Sequence, residues 1–290
     1  MNTKEMVEKN LIYKCIHGST AYGLNTPSSD IDIKGIFIPN KEYYFGMKHI
    51  DEQINGSDEV IYALKKFVTL ARDCNPNIIE VLFCDDKDIQ FISIYGQLLR
   101  DNRNLFISKK AKFTFSGYAM AQMLRIKNHR KWIMNPQVMP DQKDFFKPKE
   151  MNVNGEIVKY TKFMEAEYDA ALKKYNQYND WLKNRHPERA QMEREFGFDG
   201  KHGMHLMRLL RMGKEILEGK GVIVKRPDRE ELLGIRQGKW SYDKLIEEAE
   251  KIDTELNDLY ETSTLRHSPD DKSIDDLLIK ITEQFFQNGI

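Results

Sequence analysis

The chain has 290 residues, and its 45 lysines and arginines balance 45 aspartates and glutamates. This balance excludes a general electrostatic attraction to nucleic acid or to an anionic membrane, so any such affinity must be local. The three cysteines form no Cys-x-x-Cys pair, so we expect neither disulfides nor a zinc knuckle. Neither an apolar signal region nor eighteen consecutive apolar residues occur, so we expect a cytoplasmic protein without membrane contact.

Short strands are predicted in the first part of the chain. The apolar, β-branched residues 11–16 (LIYKCI) predict a buried strand that ends at a Gly18-Ser19 turn. Residues 30–39 alternate in polarity, so Asp30 and Asp32, two positions apart on a strand, point to the same face. A third strand is expected over residues 59–62, directly after a cluster of turn residues.

Helical periodicity begins near residue 63 and then dominates the chain. An apolar stripe indicates a helix that ends before Asn75-Pro76, and residues 77–83 (NIIEVLF) predict a short helix under the sheet. Longer helices are expected over residues 117–132, 156–184 and 203–217. Residues 135–154 contain three prolines and predict a loop that orders on a ligand.

The strand signals fade between residues 85 and 90, where we expect a boundary. Residues 1–88 are predicted to form a domain with a small mixed sheet and helices. Residues 89–290 are predicted to form a mainly helical domain that contributes to ligand binding. The predicted fold class is therefore α+β.

One segment departs from the neutral charge of the whole chain. Between Asn102 and Pro140 there is no aspartate or glutamate. The cations of this segment are Arg103, Lys109, Lys110, Lys112, Arg125, Lys127, Arg130 and Lys131. A binding site for a polyanion and a charged helix surface that neighbouring acids neutralise are both open interpretations.

Residues 17–35 (HGSTAYGLNTPSSDIDIKG) combine a Gly-Ser turn with an Asp-x-Asp pair eleven residues later. A small-residue turn lets backbone N–H groups approach a phosphate, whereas carboxylates repel a phosphate unless a cation lies between them. A metal-bound nucleotide reconciles the two features. Together with residues 64–83 and 201–221, the pattern resembles the DNA polymerase β nucleotidyltransferase superfamily. It is closest to the RlaP-type nucleotidyltransferases associated with RNA repair in bacteria and phages, over about residues 11–256.

The resemblance implies a polymerase-β-like domain that transfers a nucleoside monophosphate from an NTP to an acceptor hydroxyl with two Mg²⁺ or Mn²⁺ ions. Such ions need several carboxylate oxygens on a rigid support, which Asp30 and Asp32 are expected to provide. The superfamily takes a third carboxylate from the next strand, where it completes a metal site and draws the proton from the acceptor, and Asp58 is expected to fill this role. Glu59 stays open as the alternative, because a shift of one residue reverses the face of a strand. Gly18 and Ser19 are expected to bind the β- and γ-phosphates.

In the helical domain, three residues with basic side chains share one face of a predicted helix. Lys201, His205 and Arg208 recur at helical spacing, and cations above an aspartate site suit the binding of a triphosphate. Lys201 lies near the helix start, where a cation is unfavourable unless an anion is bound. A solvated polar face is the alternative.

An NTP is the expected substrate, and an RNA end such as a broken tRNA is the expected acceptor. The RNA contacts are predicted at Arg103, Lys109, Lys110, Lys112, Arg125 and Arg130. Arg125, His129 and Trp132 share one helix face that suits phosphate binding and base stacking, although aromatic residues at this spacing also form cores. Transfer to a protein or small-molecule hydroxyl and a non-catalytic nucleotide or RNA sensor stay open, and the residues do not determine the oligomeric state.

Overall fold

A computed structural model gives the fold of residues 2–27 and 29–288. Within these residues, the N-terminal part forms a five-stranded mixed sheet in the order β3-β4-β2-β1-β5. The strands are β1 (Leu11–His17), β2 (Asp32–Phe37), β3 (Glu52–Asn55), β4 (Glu59–Ala63) and β5 (Ile89–Ile92). Strands β2 and β4 are parallel, and Ile33 pairs with Glu59. The residues just before this pair, Asp32 and Asp58, therefore lie side by side at one edge of the sheet.

Short helices surround this sheet. They are α1 (Thr3–Lys9), α2 (Gly18–Tyr22), α3 (Lys41–Tyr44), α4 (Leu64–Arg72), α5 (Pro76–Leu82) and α6 (Ile94–Asp101). The predicted break between α4 and α5 is confirmed: α5 begins with Pro76, and the Asn75 side chain accepts a hydrogen bond from the Asn77 amide. Both helices bury their apolar residues against the sheet.

Longer helices make up most of the second part of the chain. They are α7 (Ala111–Met134), α8 (Glu165–Lys183), α9 (Pro187–Phe196), α10 (Gly200–Leu217), α11 (Arg229–Arg236), α12 (Tyr242–Thr262) and α13 (Asp271–Gln287). Helix α10 is central and packs against α7, α9, α11 and α12. The helices predicted over residues 117–132 and 203–217 are confirmed within α7 and α10. Throughout the described residues, no helix has both the length and the apolar character that crossing a bilayer requires.

The region between α7 and α8 corrects two expectations. The helix predicted over residues 156–184 is wrong in its first third, which forms β7 (Glu156–Phe163) and pairs with β6 (Phe146–Val153). The loop predicted over residues 135–154 likewise ends in β6. The cause is a hairpin turn at Asn154 and Gly155, which both have positive φ angles of 55° and 92°.

The sheet also extends beyond the expected domain boundary at residue 88. Strand β5 pairs with β1 through Tyr13 and Ile92, so the sheet includes residues that were assigned to the helical domain. One continuous apolar core joins Ile12 in the sheet to Phe115 in α7 and Leu210 in α10. The structure is an α+β fold, and its two parts pack on a shared core.

Candidate active site

A cavity of about 520 Å³ gathers the residues selected from the sequence. Its walls come from the turn between β1 and α2, the starts of β2 and β4, and one side of α10. The lining includes Gly18, Ser19, Asp30, Asp32, Asp58, Lys201, His205 and Arg208, which are all the predicted site residues. We call it the aspartate cavity. Because both parts of the chain line it, it is a cleft of the kind that commonly binds ligands.

The turn between β1 and α2 lies directly against a carboxylate. Gly18 has a φ of +64°, and a Cβ atom at this position would lie 1.8 Å from Asp32 Oδ2. Only glycine tolerates both the backbone conformation and this close approach. The first N–H groups of α2, which follow Gly18, have no acceptor within the helix. The Gly-Ser turn and the aspartate pair therefore belong to one site.

Three carboxylates line this cavity without a fixed partner. Ile33 donates its amide hydrogen to the Asp58 carbonyl oxygen at 2.7 Å, which holds Asp58 beside Asp32. Asp30 lies two residues before Asp32 and is exposed. Within residues 2–27 and 29–288, none of these three carboxylates takes part in an ion pair or a side-chain hydrogen bond. Such unpaired charges in a cleft are typical of binding sites.

The surroundings of Asp32 oppose its negative charge. Burial raises the pKa of Asp32, and the charge of Asp58 adds to this effect, with a smaller contribution from Asp30. Lys34 and Lys201 act in the opposite direction. A cation bound among the carboxylates would relieve their mutual repulsion.

Glu59, the alternative third acid, is already engaged elsewhere. Its carboxylate lies 2.5 Å from Lys14 Nζ and accepts a hydrogen bond from the Asn55 side chain at 2.7 Å. The hydrogen bond from Lys14 lowers the pKa of Glu59 despite partial burial. Since Asp58 lines the cavity, the geometry favours Asp58 as the third carboxylate.

The oxygen ligands at this site suit a hard divalent cation. Mg²⁺ prefers carboxylate oxygens, keeps several waters, and usually binds one or two carboxylates together with substrate phosphates. In the part of the chain that the structure describes, no group of three or more His, Cys, Asp or Glu side chains is already arranged to hold a metal ion. The two-ion site at the three carboxylates therefore stays a prediction.

Two of the predicted phosphate ligands on α10 differ in their exposure. Lys201 is exposed in the first turn, where the buried Asp199 side chain caps the helix by accepting a hydrogen bond from the Lys201 amide at 2.8 Å. Burial and the charge of Arg208 lower the pKa of His205 to about 3. Lys201 is therefore an available cation, whereas His205 is a neutral hydrogen-bonding group at pH 7.

Arg208 belongs to a buried network beneath the cavity. Its guanidinium lies 2.6 Å from Glu80 Oε1 and 3.9 Å from the centre of the Tyr22 ring. The Tyr22 hydroxyl donates to Glu80, and His17 Nε2 lies 3.5 Å from Glu80 Oε2. Arg208 shares the cavity side of α10 with Lys201 and His205, but it is 3% exposed and its charge is already paired, so the alternative of a solvated face does not apply to it. Its role in nucleotide binding stays a prediction.

The sequence analysis did not identify Glu80 as part of the site. The available signal was a single acidic residue within the apolar run NIIEVLF, since a buried charge requires a partner. Lys34 was also overlooked, although it follows the Asp-x-Asp pair and lines the cavity. Burial lowers the pKa of Lys34, and its Nζ donates to the Asn77 carbonyl oxygen at 2.7 Å.

The predicted RNA-binding cations occupy different environments. Lys109 is buried, and Lys110 forms an ion pair with Asp73 at 2.6 Å. The expectation of an open positive surface is therefore wrong for Lys109, which packs at 5.5 Å over an aromatic ring of α12. Cation-ring contacts also hold Arg103, Lys112 and Arg130. Arg125 is exposed on α7.

A comparison with known families decides where this chain belongs. The model of the RNA repair pathway DNA polymerase beta family, RlaP, matches residues 1–280. The chain is a member of the RlaP family. Membership supports a nucleotidyltransferase-like role for this RlaP protein.

Two curated relatives match parts of this RlaP chain. A 38.9 kDa protein from the nrdC-mobD intergenic region of Enterobacteria phage T4 is 28% identical over 125 residues, covering 38% of this chain and 37% of the relative. The protein YcgL of Bacillus subtilis (strain 168) is 31% identical over 80 residues, covering 26% of this chain and 31% of the relative. The chain thus spans about a third of the length of these relatives. No solved structure matches it.

Proposed function

We propose that this protein is a metal-dependent nucleotidyltransferase that moves a nucleoside monophosphate from an NTP to an acceptor hydroxyl, most favourably at an RNA end. The observation that carries this proposal is the group formed by Asp30, Asp32 and Asp58 beside the Gly18 turn. These carboxylates line a cleft and have no fixed cation within the described residues. Acids in this state fit a cation that arrives with a substrate.

Mg²⁺ or Mn²⁺ is the ion that these oxygen ligands fit, and Asp30, Asp32 and Asp58 would hold it. A two-ion site neutralises the charge on the transferring phosphoryl group and on the leaving pyrophosphate. The protein contributes the rigid support, because Asp32 begins β2 and Asp58 directly precedes the parallel strand β4.

The triphosphate is proposed to lie between the Gly-Ser turn and α10. The amide groups after Gly18 and the Ser19 hydroxyl would donate hydrogen bonds to the β- and γ-phosphates. Lys201 would supply a mobile positive charge from the opposite wall. The neutral His205 would donate one hydrogen bond, and Arg208 would contribute its charge from beneath the cavity floor.

The transfer step requires alignment rather than a covalent enzyme intermediate. The acceptor oxygen forms a bond to the α-phosphorus while the bond from that phosphorus to the bridging oxygen of pyrophosphate breaks. Asp58 is proposed to take the proton of the acceptor hydroxyl, and pyrophosphate leaves with the displaced electron pair. Holding both reactants in line supplies much of the rate acceleration.

RNA is the proposed acceptor because the family description refers to an RNA repair pathway. The relatives from a phage and from Bacillus support a bacterial or phage setting. A protein or small-molecule hydroxyl would use the same chemistry, so the experiment includes these acceptors.

The test incubates the protein with α-³²P-labelled NTPs, Mg²⁺ and separate pools of RNA, protein and small-molecule acceptors. We expect label on RNA and release of pyrophosphate. Asp30→Asn and Asp32→Asn should each lower transfer by at least about 100-fold, since each removes a ligand charge from a metal site. Both variants should keep the circular dichroism spectrum of the wild type.

The outcome identifies the acceptor class or rejects the chemistry. Label on a protein or a small molecule would support the transferase activity but show that the acceptor is not RNA. Activity of either folded variant within about tenfold of the wild type would reject the carboxylate assignment. Nucleotide binding without transfer to any pool would indicate a sensor.

A further inference from the structure

A second cavity of about 340 Å³ lies between α7, α8, α9 and the start of α10. We call it the tryptophan cavity after Trp181, which lines it. Its wall also includes Arg185, Arg189, Glu193, Asp199 and His202. None of these residues takes part in the proposed nucleotide site.

Trp181 provides this cavity with an aromatic wall whose position is fixed by neighbours. Its ring centre lies 5.2 Å from that of Trp132 and 5.2 Å from that of His129, while the Arg185 guanidinium lies 4.2 Å from the ring. Trp181 itself is half-buried. A fixed aromatic ring at a cavity wall suits the stacking of a nucleobase, which tolerates any base.

Two buried carboxylates hold cations at the wall of the tryptophan cavity. Glu193 is 3% exposed, contacts the Arg185 guanidinium, and lies 2.6 Å from His129 Nδ1. Burial opposes the charge on Glu193, but His129 and Arg185 keep the pKa of Glu193 below its ordinary value. Asp199 is 2% exposed and lies 3.5 Å from Arg189 Nη1. Because buried charges need partners, Glu193 holds Arg185 in place, whereas the Arg189 side chain near Asp199 is 40% exposed and can turn toward a ligand.

Polar residues of α7 and α10 connect the tryptophan cavity to the aspartate cavity. Gln122 Oε1, at the wall of the aspartate cavity, lies 2.8 Å from His202 Nδ1, at the wall of the tryptophan cavity. His129 lies seven residues, or about 10 Å, further along α7 than Gln122. Burial lowers the pKa of His202, and the nearby charges of Arg189 and Arg125 contribute to this effect. Arg125 is exposed and follows Gln122 by three residues and precedes His129 by four, so it lies on the face of α7 that runs between the two cavities.

We propose that the tryptophan cavity binds the unpaired strand of the acceptor RNA whose terminal hydroxyl reacts in the aspartate cavity. A nucleobase stacks on Trp181, and Arg125 and Arg189 bind the adjoining phosphates. Guanidinium groups pair with phosphate oxygens through two parallel hydrogen bonds, and stacking beside such contacts is the usual way to bind single-stranded RNA. This inference rests on the proposed function, because it takes RNA to be the acceptor.

The test compares two variants that each remove two positive charges from α7 and α9. Arg125→Gln/Arg189→Gln removes the two proposed phosphate ligands, of which Arg189 lines the cavity and Arg125 lies on α7 between Gln122 and His129. Lys131→Gln/Arg194→Gln instead alters exposed residues that neither line the cavity nor lie between those two. Fluorescence anisotropy measures the affinity for a short fluorescein-labelled single-stranded RNA at several salt concentrations. A separate titration measures the affinity for a non-hydrolysable NTP.

We expect the site variant to bind the RNA at least about tenfold more weakly and the control variant to stay within about twofold of the wild type. The dependence of log affinity on log salt should become shallower by about 1.4, since two phosphate contacts are lost at about 0.7 each. NTP affinity should stay within about threefold in both variants. In addition, Trp181→Leu should lower RNA affinity about tenfold, while Trp181→Phe, which keeps a stacking ring, should largely retain it.

The outcomes separate this inference from the proposed function. Equal RNA affinities for the site and control variants, or a wild type that does not bind single-stranded RNA, would overturn the inference even if NTP is transferred to another acceptor. If the site variant loses RNA affinity as expected but the wild type transfers label to no acceptor, the RNA-binding site is supported and the proposed transferase activity is rejected.

Discussion

The aspartate cavity and the tryptophan cavity use carboxylates in opposite ways. In the first, Asp32 and Asp58 lie side by side, and within the described residues neither has an ion-pair partner. In the second, Glu193 and Asp199 are buried and each lies against a cation. Unpaired acids leave room for a cation that arrives with a ligand, whereas paired acids fix the cations that receive an anion. The state of pairing therefore matches the two proposals, a metal-bound nucleotide in the first cavity and RNA phosphates in the second.

A glutamate–arginine ion pair occurs near each cavity, and the two pairs differ in how deeply the arginine is buried. Glu80 pairs with Arg208, Glu193 pairs with Arg185, and each arginine lies over an aromatic ring, at 3.9 Å and 4.2 Å. The Arg208 side chain is 4% exposed, whereas the Arg185 side chain is 15% exposed. The first pair is therefore the more deeply buried, although Arg208 also lines the aspartate cavity, and the second is more accessible to a ligand.

The largest expected effect tests this difference in burial between the two ion pairs. Glu80→Gln should destabilise the fold by about 3–5 kcal/mol, because it leaves the buried charge of Arg208 without a partner. Glu193→Gln should cost less than half as much, since the partly exposed Arg185 and His129 regain contact with water. Urea unfolding followed by circular dichroism gives both values. Equal losses in the free energy of unfolding would show that the difference in burial does not affect how much each ion pair contributes to stability.

The next effect tests which acids of the aspartate cavity are free to act. Asp58→Ala should lower transfer by about 100-fold, as expected for the loss of a general base. Glu59→Ala should stay within about fivefold of the wild type, because Glu59 is paired with Lys14 and does not line the cavity. Rates of label transfer at saturating NTP provide the comparison. A larger loss in Glu59→Ala would show that the paired acid is the functional one.

A smaller effect concerns His205, the half-buried histidine of α10 that lines the aspartate cavity. Burial and the charge of Arg208 lower the pKa of His205 to about 3, so below pH 6.5 the unfolded chain binds a proton that the folded chain does not. Stability should therefore fall as the pH drops, by about 2 kcal/mol from this group at pH 5. His205→Gln should remove this part of the slope in urea unfolding between pH 7 and pH 5. If His205→Gln leaves the pH dependence of the free energy of unfolding unchanged, His205 takes up a proton in the folded protein as it does in the unfolded chain.

The smallest effect tests the exposed cation of the aspartate cavity. Lys201→Ala should weaken the binding of a non-hydrolysable NTP about tenfold, which corresponds to the loss of a charge-assisted hydrogen bond. Binding of the matching NMP should not change, because the NMP lacks the phosphates that Lys201 would contact. Titrations of both ligands with Mg²⁺ present provide the measurement. Equal NTP affinities of the wild type and Lys201→Ala would show that only the N-terminal part of the chain binds the nucleotide.

Much of the aspartate cavity could be predicted because its signals are local in the sequence. The Asp-x-Asp spacing predicted two carboxylates at one site, and both line the cavity, although β2 begins at Asp32 and Asp30 lies just before the strand rather than on it. A tight turn next to a buried strand requires a glycine such as Gly18. The helix that carries Lys201 was also predicted, because its apolar residues repeat at the helical period. These patterns reflect burial, which the sequence records directly.

The remaining features depend on contacts that no local pattern records. Glu80 and Arg208 are 128 residues apart, so neither residue alone reveals its partner. The hairpin of β6 and β7 is exposed along nearly its whole length, so no core selects an alternating pattern there, and the turn signal at Asn154-Gly155 was overlooked. The tryptophan cavity lies between four helices, α7 to α10, whose packing the sequence does not specify.

The most direct test of the unpaired carboxylates measures the affinity for a non-hydrolysable NTP, with Mg²⁺ and with EDTA, in the wild type and in Asp32→Asn. With Mg²⁺, the wild type should bind at least about tenfold more tightly, because the variant lacks a charged metal ligand. In EDTA the order should reverse, since the variant has lost a charge that repels the triphosphate. Circular dichroism should show that both proteins are folded. The same affinity for both proteins in either condition would contradict a metal-bound nucleotide at Asp32.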